Sequence, residues 1–328
     1  MRDFTPCILM ATCDGAAYIE EQLDSLAGQT HKNWVLLVRD DGSTDETPEL
    51  LRRRAAGDER IRLLPSATTS AEGPAQNFGH LIAEGLQTRH NLFYLCDQDD
   101  IWESTKLSLL ARHFPDLGEE ATPVLAHSDL SVVDARSRPT HPSLQRLLKS
   151  NPLPDYPLIY LLTRNFVTGC AVACNRRLLE AASPVPDQAM MHDWWLALVA
   201  AAAGRINYTP EPLVRYRQHG GNAIGANSPG DLVAAVRAWP RNWRKGNREL
   251  RDTFAQAHAL LDVAGTGDDY PEEALRAVQR YTELPRLSPG TRIAAARKLG
   301  LRRDSILLRW VLYLRLLTLP RDFIDRAA

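Results

Sequence analysis

Over the first hundred residues, short apolar runs alternate with stretches whose apolar residues recur at helical spacing. Cys7–Ala11, Trp34–Val38, Ile61–Leu64 and Leu92–Cys96 have the length and composition of buried strands. Between the first two, Ile19, Leu23 and Leu26 fall on one helical face, with Asp14 a candidate N-cap and Gly28 a candidate stop. Pro48 is tolerated only near a helix start, which predicts a second helix from about Thr44 or Asp45. Pro74 opens a third, with Phe78, Leu81, Ile82 and Leu86 on its apolar side. Strands alternating with helices in this way imply an α/β fold built on a doubly wound, mostly parallel sheet.

Further on, Val124–His127, Leu130–Val133, Cys170–Cys174 and Leu213–Tyr216 read as strands and His192–Ala203 as a helix. The Pro-rich stretch from Pro139 to Pro157 reads as irregular, with a helical turn near Leu144–Leu148. From Asp231 the pattern becomes helical and rich in Arg. A boundary at Pro229-Gly230 divides an α/β domain, 1–229, from a helical C-terminal region, 230–328.

Composition adds three constraints. Hydrophobic content of 44% and charged content of 24% are those of an ordinary globular protein, and a net charge of −1 advertises no polyanionic partner such as nucleic acid. The charge is uneven, however: from Arg286 onward there are ten Lys/Arg against three Asp/Glu. The five cysteines are odd in number and form no C-x-x-C pair, which reads as reduced, buried thiols in a cytoplasmic protein. The N-terminus shows no apolar signal-peptide core. Trp194–Ala203 is too short to span a bilayer, and Ile306–Leu319 is interrupted by Arg309 and Arg315.

The chemistry gathers at strand ends. Leu92–Cys96 runs into Asp97, Asp99 and Asp100, and Trp34–Val38 runs into Asp40, Asp41 and Asp45. Parallel strands end on one side of a sheet, which is where open α/β sheets bind ligands, so the two acidic clusters can converge there. Oxygen ligands at such a rim suit Mg²⁺ or Mn²⁺. Alone, either cluster is equally an acidic loop.

Together, Ala11-Thr-Cys-Asp-Gly15, Gln29-Thr30, Val38-Arg-Asp-Asp-Gly-Ser-Thr-Asp45, Asp97-Gln-Asp-Asp100 and His192-Asp-Trp-Trp195 resemble the inverting family-two glycosyltransferases of GT-A fold. Asp97-Gln-Asp-Asp-Ile-Trp102 and Tyr216-Arg-Gln-His219 look most like their bacterial rhamnosyltransferase branch, and the resemblance covers about residues 5–225. It implies that Thr12, Asp14, Asp40 and Asp41 hold the base and ribose of a nucleotide-sugar donor, dTDP-rhamnose or a UDP-sugar. Which of Asp40 and Asp41 meets the base stays open. It also implies that Asp97 sits near the ribose, that Asp99 and His219 hold Mn²⁺ or Mg²⁺, and that Asp193 is the catalytic base. Thr168, Gly169, His192 and Trp194 fall on the acceptor side. Each position has a plainer reading: a capped turn for Asp40 to Asp45, a helix N-terminal acid for Asp193, a packing residue for His219. The implied reaction moves a sugar, L-rhamnose or a UDP-linked hexose, to a glycan or lipid-linked glycan; a non-catalytic scaffold of the same fold is the alternative.

In the tail, Arg237-Ala-Trp239-Pro-Arg241-Asn-Trp243-Arg244-Lys245 interleaves Trp with cations, and Ile306–Leu319 is apolar on nearly every side. Both suit peripheral contact at the inner face of the cell membrane. They suit equally a helical appendage packed on the catalytic domain with its Arg side chains in water.

Overall fold

The computed structural model describes residues 4–65, 71–115, 117, 122–219, 239–265 (the first four as backbone), 270–301 and 306–319. The opening units follow the apolar pattern: β1 (Cys7–Thr12), α1 (Ile19–Ala27), β2 (Val35–Asp40), α2 (Thr47–Gly57), β3 (Ile61–Leu63), α3 (Pro74–Gln87) and β4 (Leu92–Asp97). Then come β5 (Ile101–Trp102), α4 (Lys106–Ala111), β6 (Val124–Asp134), β7 (Pro139–His141), α5 (Leu144–Leu148) and α6 (Pro157–Leu161). A 3₁₀ turn, Gly169–Ala171, leads into β8 (Val172–Asn175), α7 (Arg176–Ala182), α8 (His192–Ala203) and β9 (Arg205–Gln218). The C-terminal helices are α9 (Trp239–Ala264), α10 (Glu272–Glu283), α11 (Pro289–Lys298) and α12 (Ile306–Thr318).

The strands form one curled sheet in the order β3-β2-β1-β4-β8-β6-β9-β5, with β7 on β6. β1 to β4 pair in parallel, as do β6 and β9 over their whole length; β8 and β5 enter antiparallel. The chain leaves β1 toward β2 and returns on its other side as β4. This makes β1/β4 a topological switch point, with Ala11 opposite Asp97. Alternate residues face opposite layers: Cys7, Leu9, Phe93 and Leu95 join one buried apolar cluster, and Ile8, Met10, Tyr94 and Cys96 the other.

Five expectations shift. Asp14 does not cap α1, whose N-cap Tyr18 makes no side-chain capping bond; Asp14 is turned to φ 49° and bonds the 44–45 loop instead. α2 begins at Thr47, because Asp45 accepts the Thr47 amide at 2.9 Å and holds the preceding residues in a turn. The two apolar runs after Val124 are a single strand with an irregular register around Asp129, and Leu213–Tyr216 is only the end of a fourteen-residue strand whose first half is polar and Pro-bearing. Cys170 stands outside β8, its carbonyl taken by the buried Lys106 ammonium.

All five cysteines are free; four are buried and Cys13 is exposed. Among the described residues no helix is long and apolar enough to cross a membrane. Residues 220–222, the 229–230 boundary and Arg237 lie outside the described residues. α9 to α12 share one apolar cluster with α7 and α8, through Leu250, Phe254, Leu260 and Tyr281.

Candidate active site

A cleft of about 570 Å³ opens at the carboxyl ends of β1, β2 and β4. Thr12, Asp41, Asp97, Asp99, Thr168, Gly169, His192 and Asp193 all line it, so acids far apart in sequence face one space. Asp14, Asp40 and Trp194 are not among its lining residues, and His219 stands just behind Asp99.

At the end beside β2 the acids are organisers of loops. Asp40 accepts from Thr12 Oγ1 at 2.8 Å, from the Ser43 amide at 2.9 Å and from Ser43 Oγ at 2.6 Å. Asp14 accepts the Thr44 amide at 2.7 Å. Asp41 is buried and accepts the amides of Glu72 and Gly73 at 3.0 and 2.8 Å, with Arg39 at 3.6 Å. It therefore docks the start of α3 against β2 while still facing the cleft. Of the neighbouring pair, only Asp41 reaches the cavity.

The acidic centre follows β4. Loss of water, then the charges of Asp100, Asp99 and Asp193, push the Asp97 carboxyl well above the usual range, with Lys106 opposing. Burial and the charge of Asp99 lift Asp100 to about 7. Behind them Lys106 is wholly buried, 3.2 Å above the Trp102 ring, and burial lowers it to about 8. Asp99 Oδ2 and His219 Nε2 stand 2.8 Å apart, both largely buried. A hard divalent cation fits this donor set: crowded carboxylates short of counter-charge, with an imidazole at the edge. Asp97, Asp100 and Cys170 also bring potential ligand atoms within 4.8 Å of one another, but a fully buried thiol held strongly protonated suits Mn²⁺ or Mg²⁺ poorly.

At the other end Asp193 opens α8. Burial raises its carboxyl to about 6, against hydrogen bonds from the Trp194 and Gly169 amides and the Asn165 side chain. The buried imidazole of His192 stacks on Phe78 at 3.8 Å, neither ring nitrogen has a partner, and burial pulls it down to about 3, so it is neutral. Gly169 is required there, since a Cβ would lie 2.8 Å from His192 Nε2. Trp194 turns away: its indole N–H is donated to the Leu161 carbonyl at 2.7 Å and fastens α8 to α6.

Gln98 and Lys106 are among the residues whose roles escaped the sequence reading. Gln98 pairs with the backbone of Cys13 through both ends of its amide, at 2.8 and 2.7 Å, knitting the loops after β1 and β4. Its only trace is Gly15, where a Cβ would strike Gln98 Oε1 at 2.2 Å. Lys106 had no signal, because nothing local marks a lysine as buried.

Comparison with known proteins agrees with this geometry. Residues 7–181 match the family described as Glycosyl transferase family 2. The dTDP-rhamnosyl transferase RfbG of Shigella flexneri is 27% identical over 231 residues, 66% of this chain and 74% of that protein. The uncharacterized protein Rv1520 of Mycobacterium tuberculosis is 28% identical over 208 residues, and the match spans only about half of its length, 55%, against 62% of this chain. Among solved structures, S. aureus TarS in complex with UDP-GlcNAc superposes with a TM-score of 0.51 at 13% identity, covering 98% of this chain and 91% of that one, a likeness of fold. With its GT-A type sheet, its acid-lined switch-point cleft and a family match across more than half its length, the chain belongs to glycosyltransferase family 2.

Proposed function

We propose that the protein is a metal-dependent inverting glycosyltransferase that moves L-rhamnose from dTDP-rhamnose to a glycan or lipid-linked glycan in cell-surface polysaccharide synthesis. The observation that carries the reading is that Asp41, Asp99 and Asp193 face one cleft. The nucleotide lies over the β1/β4 switch point, between Thr12, Asp41 and Asp97. Asp99 and His219 hold Mn²⁺ or Mg²⁺, which when bound neutralises charge on the departing nucleoside diphosphate. Asp193, with its carboxyl near 6, is ionised at neutral pH yet basic enough to take the acceptor hydroxyl's proton as that oxygen attacks the anomeric carbon. A single base suffices for one in-line displacement, which inverts that carbon. His192 and Gly169 shape the wall beside the acceptor.

Rhamnose is favoured by the RfbG relative and by Phe78, Phe166 and Val167 in the cleft wall, an apolar surface for a 6-deoxy sugar's methyl group. A UDP-hexose donor is the second reading, favoured by the TarS neighbour that carries UDP-GlcNAc. A lipid-linked acceptor is supported by Leu148, which both lines the cavity and is exposed, as is Leu147 next to it in the chain. Peripheral membrane contact would go through α12.

Transfer and donor hydrolysis measured with dTDP-rhamnose, UDP-glucose and UDP-GlcNAc, each with Mn²⁺, Mg²⁺ or EDTA, test the reading. Turnover of dTDP-rhamnose that EDTA abolishes is expected. Turnover of UDP-sugars alone overturns the rhamnose assignment, and full activity in EDTA overturns the metal.

A further inference from the structure

Arg217 lies at the end of β9, 1% exposed, and the sugar-transfer reading gives it no task. Its contacts are unusual in number and in origin. The backbone amide donates to Asp100 Oδ1 at 3.0 Å, and Nε donates to the Asp99 carbonyl at 2.7 Å. One terminal nitrogen donates to Ser137 Oγ at 2.7 Å and the Ala135 carbonyl at 3.4 Å, and the other to Glu21 Oε2 at 2.6 Å. The guanidinium also lies 4.7 Å over the Tyr18 ring, whose other neighbour is the His219 imidazole at 4.7 Å.

We infer that Arg217 is the positioning residue of the cation site. Asp99 and His219 come from segments 120 residues apart in the chain and meet side chain to side chain at 2.8 Å. Arg217 is two residues from His219 and bonds the backbone of Asp99 itself, so it locks the two candidate ligands into one frame. The frame is anchored on two further elements, α1 through Glu21 and the β6–β7 turn through Ser137. Ser137 is held at φ 61°, a conformation a serine adopts rarely, and its Oγ also donates to Glu21 at 2.9 Å. A buried guanidinium needs its fork filled, and only a planar five-donor group satisfies these partners together. Lysine would meet one or two of them and leave the gap between Asp99 and His219 loose.

The inference rests on the cation reading above, and calorimetric titration of Mn²⁺ into the full-length protein without donor separates the two. Arg217→Lys should weaken Mn²⁺ binding about tenfold to a hundredfold, the usual effect of losing a partner that orients metal ligands. In transfer assays it should raise the Mn²⁺ concentration for half activity in proportion, with kcat at saturating Mn²⁺ within about threefold, a split that general destabilisation does not produce. Glu21→Ala, which alters a half-exposed residue outside the cleft, should weaken Mn²⁺ in the same direction by several-fold in a chain that melts cooperatively. Wild-type protein that binds no Mn²⁺ overturns the cation reading and this inference with it. Wild-type binding that both variants match within twofold overturns the inference alone and leaves Arg217 a fold residue.

Discussion

Asp193 sits where two influences on its proton oppose each other. The head of a helix and the hydrogen bonds it accepts favour the carboxylate, yet burial dominates and lifts the carboxyl from 3.8 to about 6. A group held above its unfolded value favours the folded chain while it is protonated. That stability is present below about pH 4 and is lost as pH rises to about 6. Asp193→Asn stays neutral throughout. It should lower transfer by about 10²- to 10⁴-fold and, at pH 7.5, raise stability by roughly 1–3 kcal/mol. Thermal melts at pH 5 and pH 7.5 check the sign: the variant's advantage should be larger at pH 7.5. A variant less stable at pH 7.5 would mean that the hydrogen bonds outweigh burial. In kinetics, wild-type kcat/KM should climb with pH through about 6. A residue's place at the cleft was legible where a motif carried it, as with Asp99 and Asp193. Gln98, Lys106 and Arg217 were not, because their importance is long-range: each bonds a segment more than sixty residues away.

Among the elements, α12 is apolar on two sides, one of them exposed. Leu312, Leu316 and the following Leu319 are buried, while Ile306, Leu307, Trp310, Leu314 and Leu317 form an exposed stripe on the opposite face. Arg315 ties the helix to α9 through the Trp243 carbonyl and Asn247 at 2.8 Å, which places the exposed Arg244, Lys245 and Arg248 at its side. An apolar stripe with Trp, flanked by cations, suits an anionic headgroup layer. Trp310→Glu together with Leu314→Glu should cut co-flotation with vesicles containing phosphatidylglycerol by at least tenfold and leave donor hydrolysis unchanged. Equal flotation of the variant would remove the membrane from this face. The elements themselves were legible wherever apolar spacing was clean, as at α1 and α3. They were lost where pairing overrode composition: the first half of β9 has no strand signature, and it is a strand because β6 pairs with it residue by residue as far as Thr209.

For the molecule as a whole, the question is whether the C-terminal helices form a unit of their own. The division near residue 230 predicted from the Arg-rich pattern implies an appendage, yet the packing ties it to the site. Phe254 of α9 is fully buried, stacks on Tyr281 of α10 at 4.5 Å and belongs to the same apolar cluster as Trp195 and Leu198 of α8, the helix that Asp193 heads. Gln256 accepts the Met190 amide at 2.9 Å, two residues before that helix begins, and Tyr270 donates to the Ala181 carbonyl at 3.2 Å. At the far end the buried Arg292 donates to the carbonyls of Leu284, Pro285, Leu287, Leu316 and Leu319, closing the ends of the last helices around one guanidinium. Sequence could not show this, since a helix that shares a core and a helix that makes its own carry the same amphipathic pattern. Phe254→Ala should therefore act on the whole chain. Removing a buried aromatic costs about 3–5 kcal/mol, which for a chain of this size corresponds to a drop in Tm of roughly 4–7 °C. Calorimetry should show one transition, moved as a unit, with loss of transfer on heating following the same curve. A second transition at lower temperature, with transfer surviving it, would mean that the helices beyond residue 239 melt alone and that the catalytic half holds α8 in place without them.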